Sequence, residues 1–451
     1  MRLNANPLKI SIIGTGYVGL ITGLCLSELG HDVICVDINA EKINTINQGK
    51  TPIYEMGLND LLLKHLGKRF FATTNLAEAI LSSNITFIAV NTPYIGDKID
   101  LTFVKQVTIQ IGTLLRNKSV YHLIVLKSTV IPGTTDDVVR PIIEKTTQKT
   151  IGVDVGLCMN PEFMRAGQAV QDGLYPDRII VGGVDSKSID FFMQIYRDTP
   201  DVKTIKTNNK TAEMIKYTAN SLFATMISFA NEMAQLCEQI HDVDIIDVMD
   251  GVLSDKRFVD GDDGQTCFPG FVEYLKPGCG FGGSCFPKDV SALIAYGASF
   301  GLAMNVLKST IAVNHFQPML MLAHLAKYYS NLHGLKIGIL GLAFKAGTDD
   351  IRSSPAINVI EKLVAYDAQV TVYDPIVKTI LPDASLQGVI FADSLEELLQ
   401  CVSVVMLFTA WPEFQRLPQL MQGRYSDLVV IDGRRMLPKQ SIAIYSGIGL
   451  S

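Results

Sequence analysis

Along the first forty residues, apolar and polar positions change period in a set order. Lys9-Ile10-Ser11-Ile12-Ile13 is a short, nearly all-apolar run of the kind that fills a buried strand, and Gly14 to Gly19 is a turn. Leu20 to Leu29 reads as a helix, and Asp32-Val33-Ile34-Cys35-Val36-Asp37 as a second strand ending in an acid. Strand-like runs recur at Ile85 to Val90, Leu123 to Leu126 and Arg178 to Val181, with longer helical stretches between them. Such alternation predicts a parallel sheet covered on both faces.

From about Thr211 the period changes. Lys216 to Glu238 and Asp289 to Asn314 read as long helices with no strand between them. Gly261 to Gly283 interrupts them, and its seven glycines and two prolines exclude a helix interior. The strand–turn–helix order then restarts: Lys336 to Gly341, a helix over Pro355 to Tyr366, a strand from Gln369 to Asp374, and strands at Val404 to Phe408 and Leu428 to Ile431. The predicted fold class is α/β. Two Rossmann-like, doubly wound parallel-sheet domains, 1–204 and 326–451, are joined by a helical segment, 205–325, that carries the glycine-rich loop.

Ile10 to Ser27 is uncharged and long enough to suggest a leader or a short membrane span. Its four glycines, Gly14, Gly16, Gly19 and Gly23, fit a strand–turn–helix better, and no small-residue cleavage site follows. The composition agrees: 48% hydrophobic and 19% charged residues in 451 suit a chain with a large core. A net charge of −6 offers no basic excess for nucleic acid or an anionic membrane. Eight cysteines without a C-x-x-C pair and seven histidines without ligand spacing point to reduced thiols, a cytoplasmic setting and no metal site.

Gly14-Thr15-Gly16-Tyr17-Val18-Gly19 has the spacing G-x-G-x-x-G between a strand and a helix, with Asp37 closing the next strand. Glycines let the backbone approach a pyrophosphate, and the helix start offers free N–H groups to it. Asp37 accepts from a ribose 2′-hydroxyl and repels a 2′-phosphate, which favours NAD. The corresponding turn after Lys336 to Leu340 lacks this spacing. That second domain either binds a nucleotide differently or binds none, and Lys345, Arg352, Arg434 and Arg435 in its loops form a basic cluster suited to a diphosphate.

In Gly278-Cys279-Gly280-Phe281-Gly282-Gly283-Ser284-Cys285-Phe286-Pro287-Lys288-Asp289, glycines deliver Cys285 to a helix start, where the macrodipole favours a thiolate. Asp289 lies one turn further on, with Lys288 beside it, while Cys279 sits mid-loop. On the preceding helix, Lys216 and Asn220 share a face, next to apolar neighbours that indicate burial. Lys127-Ser128-Thr129 and Asn160-Pro161-Glu162-Phe163 end or follow strands of the first sheet.

Together these pieces resemble the UDP-glucose and GDP-mannose dehydrogenase family. The resemblance rests on Gly14 to Gly19, Lys127 to Thr134, Asn160 to Phe163, Ala212 to Tyr217 with Asn220, Gly280 to Asp289, and Gly341 to Lys345 leading to Thr348 to Arg352, in family order over nearly the whole chain. It implies oxidation of a hexose C6 alcohol to a carboxylate with two NAD used in turn, through a thiohemiacetal and a thioester on Cys285. It implies Lys216 and Asn220 at the oxyanion, and Asp289, Thr129 and Glu162 in water activation and proton transfer, with the acid–base roles of Glu162, Lys216 and Asp289 unapportioned. It further implies cofactor contacts at Gly14, Gly16, Tyr17, Val18, Gly19, Asp37, Lys42, Thr92, Pro93, Ser128, Thr129, Lys288 and Arg352. Sugar-nucleotide contacts would come from Glu162, Phe163, Met164, Lys216, Asn220, Arg257, Tyr274, Gly282, Phe344, Lys345, Arg434 and Arg435, and the central helices would form a homodimer or a higher oligomer.

Tyr175 to Gly182 and Asp432 to Arg435 look like the enzymes of the UDP-glucose branch, whereas Ala346 to Thr348 and Gly152 to Asp154 have GDP-mannose features. The reading favours UDP-glucose as partner. The alternatives are GDP-mannose, a UDP-N-acetylhexosamine, a two-electron dehydrogenase, or a non-catalytic nucleotide binder. Departures from the family pattern fall at Ala166, Met226 and Ser353, and residues 258–270 resemble an insertion.

Overall fold

The computed structural model describes residues 7–96, 98–199, 202–258, 270–379 and 386–451, so the insertion lies almost wholly outside the described residues. The chain divides into two compact units, Met1–Ala219 and Asn220–Ser451.

In chain order the first unit contains β1 (Lys9–Ile13), β2 (Asp32–Val36), β3 (Phe70–Thr73) and β4 (Ile85–Ile88), a small antiparallel hairpin of β5 (Tyr94–Ile95) and β6 (Lys98–Ile99), then β7 (His122–Leu126), β8 (Val155–Met159), β9 (Arg178–Gly183) and β10 (Lys203–Thr207). Apart from the hairpin these form one sheet, ordered β10-β9-β8-β7-β4-β1-β2-β3. Alternate residues go to opposite faces. Ile10, Ile12, Val33, Cys35, Phe87 and Val125 enter one buried cluster, and Ile13, Val36, Ile88, Ile124 and Leu126 the other. Because β1 lies between β2 and β4, the turn that leaves it opens at the point where the strand order reverses, the usual ligand crevice of such sheets.

The sheet is not wholly parallel. β8 and β9 pair antiparallel through Cys158 and Gly183, so β9 and β10 run against the rest. A parallel return requires a full crossover, usually a helix. Here the connection holds only the short helix Ala169–Leu174 and spends the remainder on the Asn160–Met164 segment. Strand β10 also lacks the continuous apolar run by which buried strands are read: it is Lys-Thr-Ile-Lys-Thr at the sheet edge.

The second unit holds β11 (Lys336–Leu340), β12 (Gln369–Tyr373), β13 (Ile390–Phe391), β14 (Val404–Leu407), β15 (Val429–Asp432) and β16 (Ile444–Gly447). All are parallel, in the order β13-β12-β11-β14-β15-β16. Helical residues Ala234, Ile245, Met321 and Leu325 join Ile337, Ile339, Leu407 and Val430 in its core.

Two helix predictions change. The helix expected from Lys216 runs Asn209–Cys237, because the Asn208 side chain accepts from the Thr211 N–H (2.8 Å) and starts it earlier. The helix expected over Asp289 to Asn314 is two, Phe286–Ala298 and Asn305–Ala326, parted where Gly301 and Met304 take positive φ (76° and 52°). Among the described residues no helix is long and apolar enough to cross a membrane.

Candidate active site

In the N-terminal unit the three glycines of the first turn divide their tasks. A Cβ on Gly14 would stand 2.6 Å from the Ala89 carbonyl oxygen, and one on Gly19 only 1.9 Å from that of Gly14. At Gly16 the nearest atom would be Asn91 Oδ1 at 3.9 Å, so this position alone opens onto free space. The helix Tyr17–Glu28, led by Tyr17 and Val18, starts at Gly16 without a side-chain cap, leaving its first N–H groups available to an anion. Asp37 accepts from the Thr15 N–H (2.9 Å), the Thr15 hydroxyl (2.7 Å) and the Asn39 N–H (3.0 Å). Burial pushes its carboxyl up, but those donors and the Lys42 charge prevail and hold it below the usual range, so it remains an acceptor. At the neighbouring strand ends, next to half-buried Pro93, the Thr92 hydroxyl donates to the Thr129 carbonyl (2.7 Å) and the Ser128 hydroxyl to that of Val90 (2.7 Å). This crevice fits a dinucleotide with a free ribose diol.

Beyond the end of β8, Glu162 lies buried and its Oε1 is 2.9 Å from Lys216 Nζ. Burial raises the Glu162 carboxyl, but Lys216, the Met164 N–H (2.9 Å) and Lys127 outweigh it, so it stays a carboxylate. Lys216 also lies 5.3 Å from the Phe163 ring centroid, and Arg178 covers that ring at 4.3 Å.

Three groups in this unit had no role assigned from the sequence. Lys127 Nζ is buried and donates to Asn160 Oδ1 (2.8 Å). Glu213, one turn before Lys216, accepts from the N–H groups of Gly133 (2.6 Å) and Thr135 (2.8 Å) and from the Thr135 hydroxyl (2.6 Å), fixing the loop that follows Thr129. Glu55 accepts from the Tyr17 hydroxyl and from the N–H groups of Gly167 (2.8 Å) and Ala169 (2.9 Å), which ties the cofactor turn to the loop after Met164. Lys127 carries a signal, a charged residue directly after the buried apolar run Leu123 to Leu126, whereas Glu55 and Glu213 carry none, since Tyr54, Met56 and Met214 beside them are exposed.

In the second unit Cys285 is exposed at the start of Phe286–Ala298, and its carbonyl accepts from the Asp289 N–H (2.8 Å). Asn220 Nδ2 donates to Asp289 Oδ2 (2.6 Å), while Lys288 donates to the other oxygen. A thiol at a helix start, with a buried carboxylate one turn along its helix and an amide bound to that carboxylate, suits nucleophilic addition to a carbonyl followed by water attack. Cys279 is different: it is fully buried, burial pushes its thiol up, and its Sγ donates to the Phe408 carbonyl. Tyr274 stacks on Phe223 with centroids 4.2 Å apart.

Family models match in chain order: the UDP-glucose/GDP-mannose dehydrogenase NAD-binding domain over residues 8–200, the central domain over 210–316 and the UDP-binding domain over 338–439. The chain belongs to the UDP-glucose/GDP-mannose dehydrogenase family. It is 37% identical to a UDP-glucose 6-dehydrogenase of Haloferax volcanii over 98% of this chain and 100% of that one. It is 34% identical to a GDP-mannose 6-dehydrogenase of Azotobacter vinelandii over 98% and 100%. A solved UDP-glucose dehydrogenase from Pyrobaculum islandicum superposes with a TM-score of 0.88 at 34% identity, covering both chains completely.

In this family member the expected basic cluster of the second unit is mostly committed to its own chain. Arg434 donates to the carbonyls of Phe408 (2.6 Å), Gly280 (3.2 Å) and Phe344 (3.3 Å), bracing the cysteine loop. Arg435 pairs with Asp244 (2.8 Å) and donates to the Ile448 carbonyl, and Arg352 pairs with Asp350 (2.7 Å). Lys345 is half-buried in the same loop as Phe344. Arg257 is exposed and paired with Asp255 (2.7 Å). A Cβ on Gly282 would come within 2.3 Å of the Ser353 carbonyl oxygen, so close packing alone requires glycine there. Asp374 ends β12 as Asp37 ends β2, yet it is buried and accepts from the N–H groups of Leu342, Ala343, Ile376 and Val377 and from the Trp411 indole. An acid saturated in this way is taken up by its own turn.

Proposed function

We propose that the protein oxidises UDP-glucose at C6 to UDP-glucuronate with two NAD, by way of a thioester on Cys285. The observation that carries this reading is Cys285 itself: an exposed thiol at a helix start has no task in a two-electron alcohol oxidation, but it is the group that turns an aldehyde into a second hydride donor. NAD, when bound, accepts hydride from C6 twice.

The first oxidation removes a hydride and a proton from the C6 alcohol and leaves the aldehyde. Cys285 Sγ adds to the carbonyl carbon, and the oxygen takes a proton to give the thiohemiacetal. Loss of a second hydride and proton gives the thioester. Water then attacks, the C–S bond breaks and the thiol is regenerated with the acid. Lys216 stabilises the oxyanions, Glu162 and Asp289 move protons, Asn220 holds Asp289 and substrate oxygen, and Thr129 orients water. UDP-glucose is favoured by the similarity to UDP-glucose dehydrogenases, with GDP-mannose as the rival given the similarity to GDP-mannose 6-dehydrogenases. The same reading places the NAD site in 1–204, the cysteine loop in 205–325 and the UDP-sugar site in 326–451, in a homodimeric cytoplasmic enzyme.

The test is NADH formed per sugar nucleotide consumed, run with UDP-glucose, GDP-mannose and UDP-N-acetylglucosamine. Two NADH from UDP-glucose supports the reading. Two from another sugar nucleotide moves the substrate and keeps the chemistry, and one NADH overturns the thioester.

A further inference from the structure

A cavity of about 70 Å³ lies inside the N-terminal unit, large enough for a few waters at roughly 10–15 Å³ each. Thr22, Lys127, Asn160 and Glu162 line it. The Thr22 hydroxyl is buried and makes no hydrogen bond to any described residue. Lys127 follows directly on β7, as Asn160 follows on the paired β8, and its ammonium binds Asn160 Oδ1 at 2.8 Å. The Asn160 amide in turn donates to the Ile180 carbonyl (2.8 Å), so Asn160 is held from both sides.

The charge balance here is unusual. Lys216 and Glu162 pair at 2.9 Å and cancel. Lys127 adds a second buried ammonium whose electrostatic partner is also Glu162, and no carboxylate among the described residues lies at salt-bridge distance from it. The other ionisable groups of the cavity do not change the sum. From the helix Tyr17–Glu28, Cys25 is pushed up to about 12 by burial, and burial likewise raises Tyr196, so both remain neutral. Asp172 is spent on Arg165 (2.6 Å) and Arg178 lies over Phe163, while Asp177 precedes β9 at the rim. A buried lysine without an ion-pair partner costs stability, and a fold keeps one where its charge is used.

We propose that Lys127 is a positioning residue for the reaction: its ammonium, anchored on Asn160, holds Glu162 as the carboxylate and gives the Lys216–Glu162 pair the positive surplus that an oxyanion needs. The proposal rests on the role given to Glu162 and Lys216 above. Burial draws Lys127 down to about 8, close enough to working pH for its charge to depend on the cavity's polarity.

The test is the pH profile of kcat for Lys127→Gln and Lys127→Arg, with the sugar nucleotide that turns over. Loss of the Lys127 charge raises the Glu162 pKa, so in Lys127→Gln the acid limb moves up by about one pH unit; separately, kcat at pH 7, where Glu162 remains ionised, falls about tenfold because the oxyanion loses the positive surplus. Lys127→Arg keeps the acid limb in place. An unmoved acid limb in Lys127→Gln, or equal losses in both variants, overturns the proposal in favour of a structural lysine. Should Lys127→Gln fail to fold, Thr22→Val decides. This isosteric change removes only an unpaired hydroxyl, and by drying the cavity it moves the alkaline limb to lower pH; an unmoved alkaline limb overturns the proposal. Glu162→Gln separates the two levels: if it still forms acid at the wild-type rate, the role given to Glu162 fails. If it does not, and Lys127→Gln leaves the limb unmoved, only the role of Lys127 fails.

Discussion

At the scale of single residues, the proposed chemistry rests on charges and a thiol that the fold has prepared. Cys285 is the exposed thiol of the cysteine loop, whereas Cys279, six residues earlier, is sealed in the core. Cys285→Ala is therefore expected to lower acid formation from the sugar nucleotide by at least about a hundredfold, with sugar-nucleotide affinity by calorimetry unchanged within a few-fold. The same replacement at Cys279 should act on stability alone. Lys216 and Glu162 are both nearly excluded from water. Lys216→Met strands a buried carboxylate, and the expected cost is about 3–5 kcal/mol in denaturant unfolding. Lys216→Met with Glu162→Gln should recover most of that stability and none of the turnover. Lys216 was legible as a charged residue where the apolar pattern calls for burial, Glu162 from its place after a strand, and Cys285 from the glycines that deliver it to a helix start. For Arg434 and Arg435 the sequence carries less. A pair of arginines after a strand marks a basic loop, but only the folded chain shows that three carbonyls and Asp244 have claimed them.

At the scale of elements, the helix Asn209–Cys237 does two jobs within one turn, since Glu213 anchors the loop after Thr129 and Lys216 meets Glu162. Glu213→Ala leaves the N–H groups of Gly133 and Thr135 and a hydroxyl unpaired in a buried position. A stability loss of about 1–3 kcal/mol for each donor that finds no water is expected, with a fall in kcat as the Thr129 loop loosens; unfolding and turnover of one preparation check both. Helix identity was readable from periodicity, but helix ends were not. Asn208 sets one start through a side-chain bond, and Gly301 and Met304 end one helix and delay the next through backbone conformation, which an apolar pattern continues across unchanged.

At the scale of the whole molecule, two sheets share a strand order around their first strands, yet only one turn is built for a dinucleotide: Gly16 opens onto free space, while Asp374 is saturated by its own chain. The second unit is also closed by a charge cluster, in which Asp244 accepts from Arg435 and Lys439 at 2.8 and 2.9 Å. Burial opposes ionisation of Asp244, but these partners prevail and draw its carboxyl from 3.8 down to about 2. A depressed carboxyl contributes stability that is present above its unfolded pKa and is lost as pH falls through its folded one. Asp244→Asn should thus be less stable than wild type at pH 7, with the difference closing between about pH 4 and pH 2; denaturant unfolding at three pH values checks it. The sequence by itself determined the α/β alternation and the G-x-G-x-x-G turn with Asp37, because local spacing and mismatches of polarity are written along the chain, and it marked Glu162, Lys216, Asn220, Cys285 and Asp289 as candidates. Only the tertiary structure decided that β9 and β10 run against the other strands, that Arg434 braces a loop, and that Lys127 stands beside Glu162. Strand direction, hydrogen-bond partners and the charge balance of a buried site depend on which distant residues meet, and one-dimensional spacing does not carry that information.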